Sequence, residues 1–227
     1  MNRLYLFFTL ALTLLQAGPV GAEDDFQYWI QTQLKIIDTK RVDVSLYGEG
    51  WFVNDVSENG LQFYAVKVAY NISPNLDLGT NYSYLSPNST NSLSGDSEYT
   101  WQHRAEIEIN PKWKLRDGLR FDTRNRLEFR WIEGHGSYNT RSRHRVRITL
   151  PVSWERMAWL NGIYMDSEFF YNWAENDYDE NRSVPIGLSL RINEQLTVKP
   201  FYMIRSTSSH NEWTSRHIVG TYVSYNF

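Results

Sequence analysis

The chain of 227 residues contains no cysteine. That excludes disulfides, thiolate metal sites, cysteine nucleophiles and attachment of a lipid to cysteine. An exported domain without disulfides must be held by its core or by a continuous hydrogen-bonded sheet. Beyond residue 15 there is also no long apolar run, so no transmembrane helix is expected in the body of the chain. Excess charge of one sign is missing as well. With 23 Lys and Arg against 26 Asp and Glu, the net charge of −3 gives no case for nucleic acid. Helical periodicity is almost absent.

What is present begins with a leader. Met1, Asn2 and Arg3 form a short positive region, residues 4–15 are an apolar stretch, and Val20, Gly21 and Ala22 precede Glu23, Asp24 and Asp25. That layout predicts a secretory signal peptide over residues 1–22 and a single mature domain over 23–227. A permanent anchor is a poor alternative. Twelve residues make about 18 Å of helix, against a bilayer core of about 30 Å.

Aromatic residues are abundant, with 9 Trp, 15 Tyr and 11 Phe. Mean hydropathy is nevertheless −0.52. An apolar exterior with aromatic girdles around a polar interior reconciles the two. The periodicity agrees. Tyr64, Val66, Val68, Tyr70 and Ile72 share one face of their segment, with Lys67 and Asn71 on the other. Leu76, Leu78, Thr80, Tyr82 and Tyr84 alternate with Asp77, Gly79, Asn81 and Ser83. Similar segments of about ten residues, the length of a tilted membrane-crossing strand, recur along the chain, including 26–37, 42–52, 163–173, 184–192, 196–204 and 217–227. Short turns at 38–40, 73–75 and 193–194 alternate with polar loops at 54–60, 86–97, 133–140, 174–182 and 206–214, and medium connections fall at 111–118 and 155–160.

The expected fold is therefore all-β: an antiparallel up-and-down transmembrane β-barrel of ten to twelve strands in a Gram-negative outer membrane. Eleven segments are counted where single-chain bacterial barrels have even numbers. Either residues 26–37 lie inside the barrel or a strand is mis-divided around 111–121. The last segment carries Val219, Thr221, Val223, Tyr225 and Phe227 on one face. An apolar alternating strand ending in an aromatic reads as an assembly signal, here Val223, Tyr225 and Phe227, addressed to the barrel-assembly machinery.

Three successive segments carry Arg104, Arg120, Arg124, Arg126, Arg130, Arg141, Arg143, Arg145 and Arg147 on their polar faces, beside Glu106, Glu108, Asp122 and Glu128. Arg at mid-membrane on the lipid side costs about 2–4 kcal/mol each, so these faces are expected to line a lumen. Asp43, Glu49, Asp77, Asp166 and Glu168 are expected to form a partly acidic wall opposite. Two readings stay open. The charges fill the interior as a salt-bridge ladder, or they line a narrow pore for small anionic solutes.

Other chemistry is weakly signalled. Ser208, Ser209, His210 and Glu212 could be read as nucleophile, base and orienter of a lipid-modifying enzyme at the outer rim. His103 and His144 fall on apolar faces, where packing beside aromatics is the plainer role. Glu175, Asp177, Asp179 and Glu180 lie in a polar loop without the spacing of an EF-hand, and read as a solvated patch facing lipopolysaccharide. No metal site and no cofactor is expected. Outer-membrane lipids are the expected surroundings, and a soluble periplasmic β-protein is the remaining alternative.

Phe26-Gln27-Tyr28-Trp29, the run His103 through Glu108, the run Arg124 through Arg130, the run Arg143 through Arg147 and the terminal Phe together resemble the bacterial family called domain of unknown function 2490. The resemblance covers nearly all of the mature chain. It implies an outer-membrane β-barrel and carries over no active site.

Overall fold

The computed structural model describes residues 22–90, 97–115, 118–153, 157–209 and 212–227. Most of the expected leader, residues 1–21, lies outside them. The described chain is all strand, with no α-helix: β1 (Ala22–Asp38), β2 (Val42–Val53), β3 (Glu58–Ser73), β4 (Leu76–Thr90), β5 (Ser97–Tyr99), β6 (Gln102–Lys114), β7 (Arg120–Ile132), β8 (Asn139–Pro151), β9 (Leu160–Asn172), β10 (Asp177–Arg191), β11 (Leu196–Ser209) and β12 (Glu212–Asn226).

Each strand pairs antiparallel with its neighbour in the chain, except at two places. β5 pairs only with the end of β4, Asn88 opposite Tyr99, and prolongs that hairpin beyond the wall. β6 then pairs with β4 itself, Leu85 opposite Gln102. β1 pairs with β12 in parallel, from Phe26 opposite His217 to Lys35 opposite Asn226. The sheet thus closes on itself as an eleven-stranded barrel. An odd number of strands that alternate in direction must close with one parallel pair. The first segment is part of the wall, not a plug. Closure leaves the barrel wall, among the described residues, without an edge strand; only the three-residue β5 is paired on one side.

The connections are set locally. Between β1 and β2 the Thr39 hydroxyl donates to the Val42 carbonyl at 2.8 Å and accepts from the Val42 N–H at 2.8 Å. Between β10 and β11 the Asn193 side-chain oxygen accepts from the N–H groups of Gln195 and Leu196 at 2.9 and 2.7 Å. Such Asx and hydroxyl turns reverse the chain in very few residues. Pro185 sits in β10, where register shifts on both neighbouring strands mark a bulge, which is where a strand tolerates a residue lacking its N–H.

Several expected connections are shorter in the structure, among them 111–118, 174–182 and 206–214. β6 runs through Pro111 to Lys114, β10 begins at Asp177, and β11 and β12 continue to Ser209 and from Glu212. The hairpins keep their hydrogen-bond ladders where the outward face has thinned to single aromatics such as Trp113, Tyr178 and Trp213 among polar residues, so the hydropathy alternation weakens before the strand ends.

The outward face carries the large exposed apolar side chains, among them Ile30, Leu46, Val66, Leu78, Ile107 and Val146. Trp101, Trp131, Trp173 and Trp213 lie toward the rim that holds the β2–β3 and β9–β10 turns, and Trp113 and Trp159 toward the opposite rim. Trp101 and Trp113 flank β6 on the same outward face, with His103, Ala105, Ile107 and Ile109 between them. Twelve residues span about 40 Å along a strand, or about 30 Å along the barrel axis at a tilt of about 40°.

Candidate functional site: the lumen

Inward side chains divide the lumen into two unlike walls. One, on β6 to β9, is charged. Its register puts like charges directly opposite: Arg104 faces Arg130, Glu106 faces Glu128, and Arg126 faces Arg143. Direct like-charge pairs destabilise a sheet. Here the attraction runs diagonally. Arg126 reaches Glu106 at 3.0 Å and donates from Nε to Glu108 at 2.6 Å. Arg143 donates to Glu128 at 2.8 Å and to Glu168 at 3.0 Å. Arg141 donates to Glu128 at 2.9 Å, and Arg124 to Glu168 at 2.8 Å. Toward the short-turn rim, Arg147 grips Asp166 through Nε and Nη2 at 2.7 and 2.5 Å, and Arg145 meets Asp122 at 3.2 Å. Asn81 of β4 donates to both Glu106 and Glu108, at 3.1 and 2.9 Å. Arg104 lies 3.9 Å from Glu128. Arg130 is buried inward with no ion-pair partner among the described residues.

The other wall is apolar and aromatic. Trp29, Tyr164, Val184, Phe201, Met203 and Ile218 form one buried cluster, with Trp51 and Tyr222 packed against it. Leu61, Phe63, Ala65 and Leu85 form a second. Two glycines make room for it. A Cβ on Gly220 would meet the Phe201 ring at 2.2 Å, and one on Gly187 would meet the Tyr164 ring at 2.2 Å. Each ring lies flat over the backbone of the neighbouring strand.

The walls are tied together by cations on aromatic faces. Trp29 and Trp51 stack with centroids 3.9 Å apart. The guanidinium of Arg182 sits 5.0 Å from the Trp29 ring and 4.9 Å from Phe170, and that of Arg205 sits 4.9 Å from Trp51. Both guanidinium groups also donate through Nε to Glu180, at 2.7 and 2.6 Å. Such contacts contribute roughly 0.5–2 kcal/mol each where water is excluded.

Two cavities lie among the described residues of the lumen. An inner chamber of about 420 Å³ is bounded by both walls. A vestibule of about 700 Å³ opens by Asn54 and Glu58 at the long-loop rim. They share Trp51, Pro87 and Arg205 as lining residues, so the Trp51–Arg205 contact stands between them.

Against the sequence expectations, Arg104, Glu106, Glu108, Arg124, Arg126, Glu128, Arg130, Arg143, Arg145, Arg147, Asp166 and Glu168 all sit on inward faces of the strands. The acids do not form an opposing wall. Asp166 and Glu168 lie on β9 beside the arginines, Arg147 opposite Asp166 and Arg145 opposite Glu168. Asp43 lies near the short-turn end with Lys35, at 3.9 Å. Glu49 accepts from Tyr47 and Trp51, both at 2.6 Å. Glu180, expected in a solvated loop, is buried between arginines. Sequence reasoning put Lys67 on a polar face without counting it among the lumen groups, and missed Arg182, Arg205, Lys199, Trp29 and Trp51 as lumen groups. Strict alternation finds them, since Trp29 shares its face with Gln31 and Gln33, whereas the expectation of aromatic girdles places aromatics outside.

His103 faces outward and pairs with the Tyr82 hydroxyl at 3.0 Å, and His144 pairs with the Asn125 side chain at 3.0 Å. Ser208 lies opposite Trp213 and Ser209 opposite Glu212, while His210 falls outside the described residues. Val223, Tyr225 and Phe227 point outward in one row. The Phe227 ring packs edge-on to Tyr225 at 4.9 Å, and its N–H donates to the Lys35 carbonyl across the closing seam at 3.3 Å.

Residues 26–216 match the family model described as Protein of unknown function (DUF2490), and the chain belongs to that family. No curated protein and no solved structure matches it.

Proposed function

We propose that this member of the DUF2490 family is an integral outer-membrane barrel of a Gram-negative bacterium, exported by a leader cleaved after Ala22, with a divided lumen that admits only small anionic solutes. The observation that carries the reading is the inversion of polarity. The outside presents aliphatic side chains bracketed by Trp at both rims, about one bilayer core apart, while the inside holds the ion pairs. In water alone that exterior would be an apolar patch of a size that soluble monomers rarely expose. Outer-membrane lipids and lipopolysaccharide are then its surroundings, and the row ending in Phe227 is the part offered to the assembly machinery.

The lumen is a compartment more than a channel. Barrels near eight strands are filled by side chains and those of sixteen or more leave an aqueous bore, and eleven strands fall between. The expected conductance is small and prefers anions, because the ion-paired wall leaves cations in excess around the chamber. Recovery in the outer-membrane fraction with heat-modifiable migration on a gel tests the location. A protein that stays dissolved as a compact monomer without detergent overturns it. Reversal potential in planar bilayers tests the passage. Arg145→Glu is expected to shift it toward cations, and an unchanged potential in a conducting barrel removes the proposed anion path.

A further inference from the structure

We propose that the inner chamber is a binding site for a small organic anion, a phosphate or carboxylate joined to a flat apolar group, held by Lys67, Lys199, Arg124 and Arg145. This deepens the reading above by naming the solute class. Its test runs on detergent-solubilised protein, so failure of binding and failure of conduction are read separately.

The argument begins with unspent donors. Lys67 of β3 and Lys199 of β11 both line the chamber, and neither has a carboxylate partner among the described residues. What each meets is a ring: Lys67 Nζ stands 3.4 Å from the Tyr47 centroid and Lys199 Nζ 5.3 Å from that of Tyr222. Across the lumen, Arg124 and Arg145 each donate one side-chain hydrogen bond, to Glu168 and to Asp122, and the Nε of each is buried without a partner. A guanidinium offers five N–H groups, so most of their capacity is unused. The acids within reach are already taken. Glu168 also serves Arg143, and Glu49 accepts from Tyr47, Trp51 and Gln31.

These groups come from β3, β7, β8 and β11, around the circumference, and converge. Arg124 is within electrostatic reach of Lys67, Tyr47 and Tyr222, and Arg145 within reach of Lys199 and Tyr222. The carboxylates that act on the lysines are shared, Glu106 and Glu108 with Arg126 and Asp122 with Arg145, and enclosed cations with only shared counter-charge are costly, a cost that an anion lowers. Ammonium and guanidinium groups together suit carboxylate and phosphate oxygens. Tyr47 and Tyr222 supply flat walls, and Tyr222 continues into the cluster around Phe201. The volume lies within the roughly 300–1,000 Å³ of small-molecule sites.

Calorimetric titration of the full mature chain in detergent, at low salt, with phenyl phosphate as probe tests the site. The wild type is expected to bind, inorganic phosphate to bind more weakly, and benzyl alcohol not to bind. The double variant Lys67→Gln, Lys199→Gln is expected to bind phenyl phosphate at least tenfold more weakly, and each single variant severalfold, with heat-modifiable migration retained because neither lysine belongs to the ion-pair wall. No heat with the wild type, wild-type affinity in the double variant, or equal binding of benzyl alcohol overturns the anion site. Inorganic phosphate binding as tightly as phenyl phosphate overturns the flat apolar part of the ligand.

Discussion

Glu128 shows no exposed surface and is met by four guanidinium groups: Arg143 at 2.8 Å, Arg141 at 2.9 Å, Arg126 at 3.7 Å and Arg104 at 3.9 Å. Desolvating this many charges is costly, and their mutual attraction offsets the cost only while the set is complete. This one carboxylate is shared by four cations, three of which also meet Glu106, Glu108, Glu168 or Glu180. Glu128→Gln preserves shape and removes the charge, so the remaining cations are left under-compensated. Breaking a buried pair costs about 3–5 kcal/mol, and a loss of that size is expected here. The measurement is the denaturant midpoint of the barrel in micelles. A midpoint within error of the wild type would show the wall to be solvated. Glu194→Gln, in the exposed β10–β11 turn, is expected to leave it unchanged.

At the scale of strands, the pairing of β11 with β12 sets Phe201 opposite Gly220, and that of β9 with β10 sets Tyr164 opposite Gly187. The aromatic wall depends on these missing side chains. Gly220→Ala drives a methyl group into the Phe201 ring, and overpacking of that kind costs about 1–3 kcal/mol. Gly48→Ala, whose Cβ would meet nothing within 4 Å, is expected to cost much less. Equal midpoints for the two variants would refute the packing argument. These pairs were not legible in the sequence, because a glycine signals only that something comes close. The strands themselves were legible wherever one face is apolar and the other polar, as in Tyr64 to Ile72 against Lys67 and Asn71. Legibility ended where that contrast fades: at Asp177, where Tyr178 is the one apolar outward residue at the start of its strand, and at Trp29 and Trp51, where an inward aromatic breaks the rule that aromatics face out. The charged face of β6 to β8 was readable because nine arginines cannot share an apolar exterior. The partners of each arginine were not, since diagonal contacts depend on stagger and side-chain reach, which alternation does not encode.

For the whole molecule, the odd strand count has a consequence that an even barrel does not share. With eleven alternating strands closed by a parallel β1–β12 pair, β1 begins at one rim and β12 ends at the other. The start of β1 lies with the β2–β3 turn, where Asp25 accepts from the Asp55 N–H at 3.2 Å and Asp55 accepts from the Phe26 N–H at 3.3 Å. Outer-membrane barrels keep short turns in the periplasm and longer loops outside. On the proposed outer-membrane reading, the start of β1 is therefore expected at the cell surface, where an even-stranded barrel would leave it in the periplasm. The absence of cysteine makes this directly testable. Single cysteines replacing Asp24 or Glu175 are expected to react with a membrane-impermeant maleimide on intact cells, and those replacing Lys40 or Glu194 only after the outer membrane is permeabilised. Full reversal of the pattern would invert the orientation and leave the barrel intact. Protection of position 24 together with position 40, while position 175 reacts, would break the parallel seam that closes the wall.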